Sequence, residues 1–153
     1  MSNSLEEYQP FLNEAIIPLR LSCRTQSGWP MILSLWYLYQ DNAIYCATPH
    51  SAKVVGYLRH DPRCALEIAG DLPPYCGLRG QAKAFIEPEN GLQVLEKLLY
   101  RYLGGTESGL AEFLLSKAEN EVAIRLEPVN IFQWDFTSRM KDLPGAVQDK
   151  SCP

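Results

Sequence analysis

From Ile16 onward, apolar and polar residues alternate with period two between short polar turns, the signature of half-buried strands. Leu19-Arg20-Leu21-Ser22-Cys23-Arg24 is the first such run, and Thr25-Gln26-Ser27-Gly28 is a turn in which Gly28 takes positive φ at no steric cost. Residues 30–39 are apolar at nearly every position; their length and aromatic content predict a strand covered on both faces. Gln40-Asp41-Asn42 turns the chain into a third strand over 43–48, so the first three strands predict an antiparallel meander. Residues 51–58 predict a short helix with Ser51 as N-cap, ended by Asp61-Pro62. Cys64, Leu66 and Ile68 alternate with Ala65 and Glu67 in a fourth strand. A fifth covers 75–86, where Gly77 and Gly80 mark a bulge or a close approach.

Two amphipathic helices follow. The first has Asn90 as its cap, puts Leu92, Leu95, Leu99 and Tyr102 on one face, and stops at Gly104-Gly105. The second covers about 107–117, with Leu110, Phe113 and Leu114 inward. In the last strand Val122, Ile124 and Leu126 face one way, and after Pro128 the same parity returns as Phe132, Trp134 and Phe136. Residues 1–15 predict a polar arm or short helix, and 141–153 a polar, loose tail. The sum is a mainly β protein: a six-stranded antiparallel β-barrel with inserted helices, in a single domain over 1–153 with its core at about 16–136. A second strand that is apolar on both faces needs cover outside the barrel, which a second copy of the chain supplies.

Composition narrows the classes. With 46% hydrophobic and 21% charged residues, 153 residues suffice for one domain with a real core. A net charge of -4 argues against nucleic-acid binding through a general basic surface. No apolar run approaches the roughly 20 residues that span a bilayer, and the N-terminus lacks the pattern of a secretory signal. The five cysteines are odd in number and contain no C-x-x-C pair, unlike a zinc site or a secreted disulfide framework. Three of them lie in strands as small buried hydrophobes, and two histidines make a poor metal site. These features predict a reduced cytoplasmic protein without metal, membrane or nucleic-acid partners.

The most informative segment is Ala47-Thr48-Pro49-His50-Ser51-Ala52-Lys53. A strand ends and a helix opens on Ser-x-Lys, where unpaired N–H groups and the helix dipole favour an anion. Thr48 and Ser51 add hydroxyls and Lys53 a full charge, a set suited to a phosphate monoester; an ordinary N-cap beside a solvated lysine fits the same residues. His50 flanks this place as a solvated loop residue or phosphate contact rather than as an acid or base. Glu67 and Arg79 occupy polar-facing strand positions suited to cross-strand pairing. No catalytic residue emerges, and no Ser-His-Asp or Cys-His arrangement can be placed.

The ordered set of elements from Arg20 to Leu58, with His60-Asp61-Pro62-Arg63-Cys64-Ala65-Leu66, then Tyr75-Cys76-Gly77-Leu78-Arg79-Gly80-Gln81-Ala82 and Phe132-Gln133-Trp134-Asp135, resembles the pyridoxamine 5′-phosphate oxidase-like FMN-binding split-barrel superfamily. The likeness spans roughly residues 16–136. It implies a homodimer holding FMN at the subunit interface, with a deazaflavin or haem as alternatives, and oxidoreductase activity on a small molecule. An alternative is a binding or carrier protein without turnover. The resemblance implies that the backbone of residues 32–36 (Ile32, Leu33, Ser34, Leu35 and Trp36) runs beside the flavin, with the Ser34 hydroxyl toward phosphate or ribityl chain. Thr48, Ser51, Ala52 and Lys53 form the phosphate turn, and Trp134 reaches the flavin from the other subunit. A barrel-closing core aromatic is the competing reading of Trp134, and an interface aromatic that of Trp36. The chain departs from the true oxidases at Ser34, Trp36 and Ala52, where they carry basic residues, and at Thr137-Ser138-Arg139-Met140, where they have Arg-x-His. It is therefore not expected to be a pyridoxamine phosphate oxidase.

Overall fold

The computed structural model describes residues 3–142 and 152–153. Its strands are β1 (Leu19–Arg24), β2 (Pro30–Leu35), β3 (Leu38–Gln40), β4 (Ala43–Pro49), β5 (Arg63–Ala69), β6 (Cys76–Glu87) and β7 (Glu121–Asp135). They form one antiparallel sheet in the order β2-β1-β5-β6-β7-β4-β3. The apolar run 30–39 is thus two strands, broken at Trp36-Tyr37, and they lie at opposite edges. The predicted meander does not form: β1 pairs with β2, and β3 with β4.

That break shapes the whole sheet. Seven flat strands about 4.8 Å apart would hold their outer edges about 29 Å from each other. Only three peptide steps join Leu35 to Leu38, so the edges approach within about 11 Å there. The sheet has to roll up. Closure is incomplete, because β4 pairs with β7 from Ile44 to Pro49 but with β3 only from Ala43 to Tyr45. The outer edge of β2 and that of residues 46–49 of β4 are left without a ladder partner, and the interval between them is called the slit below.

The interior holds Leu19, Leu21, Ile44, Cys46, Ile68 and Ile124 among others. Helix α2 (Lys53–His60) seals it with Val54, Val55 and Leu58, and α1 (Gln9–Glu14) with Phe11 and Leu12. The N-terminal arm is therefore part of the core, since Leu5 is also buried there. The Leu5 N–H donates to Asn42 Oδ1 (2.6 Å), in a turn where Asp41 and Asn42 both take positive φ. Helix α3 (Gly91–Leu103) covers the outside of β4 and β7 with Val94 and Leu98 against Leu38 and Ala123, and Gly104 ends it at φ 75°. Asn90 stands at its N-cap, but its side chain donates to Glu87 instead of capping (2.7 Å). Leu92, expected on the buried face, is exposed. Helix α4 (Gly109–Leu115) is capped by Ser108, whose hydroxyl accepts the Ala111 N–H (3.1 Å). It packs through Ala111 against α3, a small residue that permits close approach, so Leu110 and Phe113 stay exposed rather than inward.

A bulge corrects the expected parity of β7. Ala82 pairs with Pro128 and Gln81 with Asn130, leaving Val129 extra. One extra residue exchanges the two faces. Ile131 thus joins the core, while Phe132, Trp134 and Phe136 turn outward. Gly80 serves the close approach expected of it, since a Cβ there would lie 2.1 Å from Asn130 O.

Cys23, Cys46 and Cys64 are buried free thiols, and burial pushes the Cys64 thiol up to about 12. Cys76 and Cys152 are joined by a disulfide, which corrects the reading of all five as reduced. Nothing local in the sequence marks this pair, whose members are 76 residues apart. The expected loose tail falls, for residues 143–151, outside the described residues. No helix among the described residues is long and apolar enough to cross a membrane.

The break at Trp36-Tyr37 is gripped from α3. Arg101 donates to the carbonyls of Leu12, Asn13 and Ala15, each at 2.8 Å, where α1 leaves its last acceptors without intrahelical donors. The buried Tyr37 hydroxyl donates to two of the same carbonyls, Leu12 (3.1 Å) and Ala15 (3.0 Å). Tyr102 donates to Ile17 O (2.8 Å) and accepts the Tyr37 N–H (3.2 Å). Replacing Arg101 with Met should cost about 1.5–3 kcal/mol and Tyr37→Phe about 1 kcal/mol, read as falls in the urea midpoint. Equal, negligible effects would show that the grip contributes nothing.

Candidate functional site

The slit has two lips. On one, β4 ends at Pro49 and the chain makes a tight turn into α2, with Ala52 N–H donating to Pro49 O (2.9 Å). Ala52, with extended backbone, is the N-cap, and Ser51 stands before it without capping. This corrects the assignment of Ser51 as the cap, and the extended Ala52 is the reason: the helix begins at Lys53. The Ser51 hydroxyl is left exposed, as is Lys53. Thr48 is only 8% exposed and shares the core-facing side of the sheet with its partner Val122. His50 is tied to the start of β7: its N–H donates to Asn120 O (2.7 Å), and Nδ1 lies 3.2 Å from the same oxygen.

On the other lip, Leu33 and Leu35 point to the core, while Ile32 (72% exposed) and Ser34 point outward. As an edge strand, β2 turns unpaired backbone groups toward the slit. Trp36 stacks flat on Tyr102, with ring centroids 4.9 Å apart, and packs on α3. Its side chain is thus committed to the fold, and its backbone alone is left to border the slit.

Within one chain, Thr48, Ser51, Ala52 and Lys53 share a single turn, and Ile32, Leu33, Ser34, Leu35 and Trp36 share the opposite edge. Trp134 joins neither. It lies on the outer face opposite Gly77, 5.3 Å from the Phe136 ring, so it is not a core aromatic. Its Nε1 is buried without an acceptor among the described residues. A donor in that state costs free energy until something accepts from it.

One feature went unrecognised as a unit in the sequence. Arg20, Glu67 and Arg79 form a single row across β1, β5 and β6 on the outer face. Glu67 and Arg79 are directly opposite, as pairing requires, yet no ion pair joins them, nor Glu67 to Arg20. The row lies in an open groove of about 630 Å³ walled by Ile32 and Phe132. A second hollow of about 370 Å³ continues it through Ser22, Ala65 and Gln81. The alternation of polar residues was visible in each strand; the register that aligns them was not.

No family model matches the sequence, and no curated protein matches it. Solved structures do. A conserved hypothetical protein from Mycobacterium tuberculosis is similar over 99% of this chain and 95% of its own, at 23% identity and TM-score 0.74. An F420 reductase is similar over 79% and 93%, at 17% identity and TM-score 0.67. A provisional pyridoxamine 5′-phosphate oxidase from Listeria innocua is similar over 84% and 95%, at 16% identity and TM-score 0.64. These likenesses show the fold: the chain shares with these structures a mainly β fold, an antiparallel sheet with helices packed on it, with seven strands in place of the six expected.

The residues present fit a phosphorylated ligand. At the turn itself Ser51 and Lys53 are exposed, the Ser51 hydroxyl has no hydrogen bond and Lys53 no ion pair among the described residues, whereas Thr48 faces the core and Ser34 lies on another strand. The Ser51 and Lys53 pair gives up no internal bond to accept an anion. Nearby, the buried Glu121 is paired in register with Pro49, and desolvation raises its pKa above the ordinary carboxyl value. Its contribution to stability is therefore present at acid pH and lost as pH rises through the folded-state value. Glu121→Gln should raise the urea midpoint at pH 7 and flatten its decline between acid and neutral pH; an unchanged pH profile would exclude that role.

Proposed function

We propose that this chain is a cytoplasmic, homodimeric flavoprotein that holds FMN in the slit and serves as an oxidoreductase for a small molecule. The observation that supports the reading is the exposed pair Ser51 and Lys53 at the opening of α2, which has no side-chain hydrogen bond or ion pair among the described residues, together with the free edge of β2. Lys53, Ser51 and the first N–H groups of α2 would hold the phosphate, with Thr48 beside them. Backbone groups of β2 and the Ser34 hydroxyl would orient the rest of the ligand. When bound, the flavin supplies the hydride or electron transfer. The protein's part is to bind, orient and exclude water.

The outer face supports the dimer. Trp29 (75% exposed), Ile32, Phe132 and Phe136 lie uncovered, an apolar content that a second copy would bury. The row Arg20–Glu67–Arg79 suits a two-fold contact, in which a glutamate of each chain meets arginines of the other. Absence of basic residues at Ser34, Trp36 and Ala52 supports a substrate other than a vitamin B6 phosphate.

A second reading is a carrier or sensor for a flavin, deazaflavin or haem without turnover. The absence of an identifiable acid, base or substrate clamp in the sequence favours it. Steady reduction of an added acceptor by reduced flavin or deazaflavin would decide for the enzyme.

The test is a visible spectrum of the purified protein, followed by titration with FMN, riboflavin and a deazaflavin. Flavin bands and preference for FMN over riboflavin are expected. Lys53→Ala should weaken FMN by about 1.5–3 kcal/mol, the range for a hydrogen bond to a charged group, and leave riboflavin nearly unchanged. Equal loss for both ligands would remove Lys53 from the phosphate. A Soret band without flavin binding would replace FMN with haem.

A further inference from the structure

The five cysteines divide into two kinds. Cys23, Cys46 and Cys64 are buried in strands, and burial raises all three thiols, which disfavours the reactive thiolate. Cys76 and Cys152 are bonded to each other. Cys76 is buried at the first position of β6, and Cys152 is partly exposed one residue from the last described residue, Pro153. A thiolate can therefore reach the Cys152 side of the bond without opening the barrel.

The place of this bond connects it to the candidate site. Cys76 is opposite Asp135 in the β6–β7 ladder, and the next pair along is Gly77 with Trp134. Gln133, the neighbour of Trp134, donates its side-chain N–H to Pro153 O. The oxidised bond thus fixes the C-terminal residues against the same strand end that carries Trp134. Cys76 also lines a hollow of about 400 Å³ with Phe11, Ile17, Leu72 and Pro74.

We propose that Cys76–Cys152 is a thiol–disulfide exchange site for small dithiols, and that its oxidation state sets the surroundings of Trp134. A dithiol attacks the Cys152 sulfur, forms a mixed disulfide and releases the Cys76 thiolate. Its second thiol then closes a cyclic disulfide and frees Cys152. Two electrons and two protons pass from the dithiol to the cysteine pair, and exchange with a low-molecular-weight disulfide reverses the step. A consequence, resting on the flavin reading above, is that the two states differ in cofactor affinity.

The full-length protein tests this directly. Denatured without reductant, it should present three alkylatable thiols, and five after dithiothreitol, with oxidised dithiothreitol or glutathione disulfide restoring three. Tryptophan fluorescence of the folded protein should change on reduction, and the change should vanish in Cys152→Ser and in Trp134→Phe. FMN affinity should differ by about threefold or more between the two states of the wild type, and not in Cys152→Ser. Five free thiols after treatment with glutathione disulfide would overturn the site, as would a fluorescence change that persists in Cys152→Ser. If the thiol and fluorescence results hold while FMN binds neither state, the exchange site stands and the flavin reading falls.

Discussion

Everything in this fold depends on a two-residue link, Trp36-Tyr37, that ties one edge of a seven-stranded sheet to the other. The link forces the sheet to roll, and something has to hold it in place while strand pairing is interrupted. Arg101, Tyr37 and Tyr102 provide that hold by converging on the carbonyls of Leu12, Ala15 and Ile17. The guanidinium also lies over both phenol rings, at 4.9 and 5.7 Å, so charge, hydrogen bonding and packing act at one point. Desolvation raises the Tyr37 pKa, which keeps its hydroxyl protonated as a donor. The slit exists because pairing stops at this point.

A second constraint sets the outer face. The extra residue Val129 turns the end of β7 over, which moves Phe132, Trp134 and Phe136 out of the barrel. Without the bulge these rings would turn into the interior beside Leu78, and Ile131 would turn out of it. With it, they line one side of the face that also carries Ile32 and the Arg20–Glu67–Arg79 row. The interior at this end of the barrel thus keeps Leu78 and Ile131, and the aromatic rings are left on the outer face.

Much of the fold was legible because period-two alternation survives in β1, β4, β5 and β6, and turns at Gly28, Asp41-Asn42 and Gly104 carry their own chemistry. The break at Trp36-Tyr37 was hidden, since a continuous apolar run reads the same whether it is one strand or two. The bulge was hidden too, because the sequence shows parity but not an inserted residue. In α4, Leu110 and Phe113 outrank Ala111 in hydrophobicity, yet the close helix contact takes the alanine. At the site, the Ser51–Lys53 turn was visible from residue types alone, whereas its cap was shifted by the extended backbone of Ala52. The Cys76–Cys152 bond and the Arg20–Glu67–Arg79 row depend on register and long-range approach, which no local pattern encodes.

The central claim is a ligand site shared between two chains, with the phosphate turn from one and Trp134 from the other. Intersubunit complementation tests it most directly. Lys53→Ala chains and Trp134→Ala chains, each defective alone, are mixed, allowed to exchange subunits, and titrated with FMN. A shared site gives each mixed dimer one site of wild-type affinity and one carrying both defects, so tight binding should return on mixing. If mixing restores nothing, Lys53 and Trp134 do not meet across an interface, and the shared site is wrong.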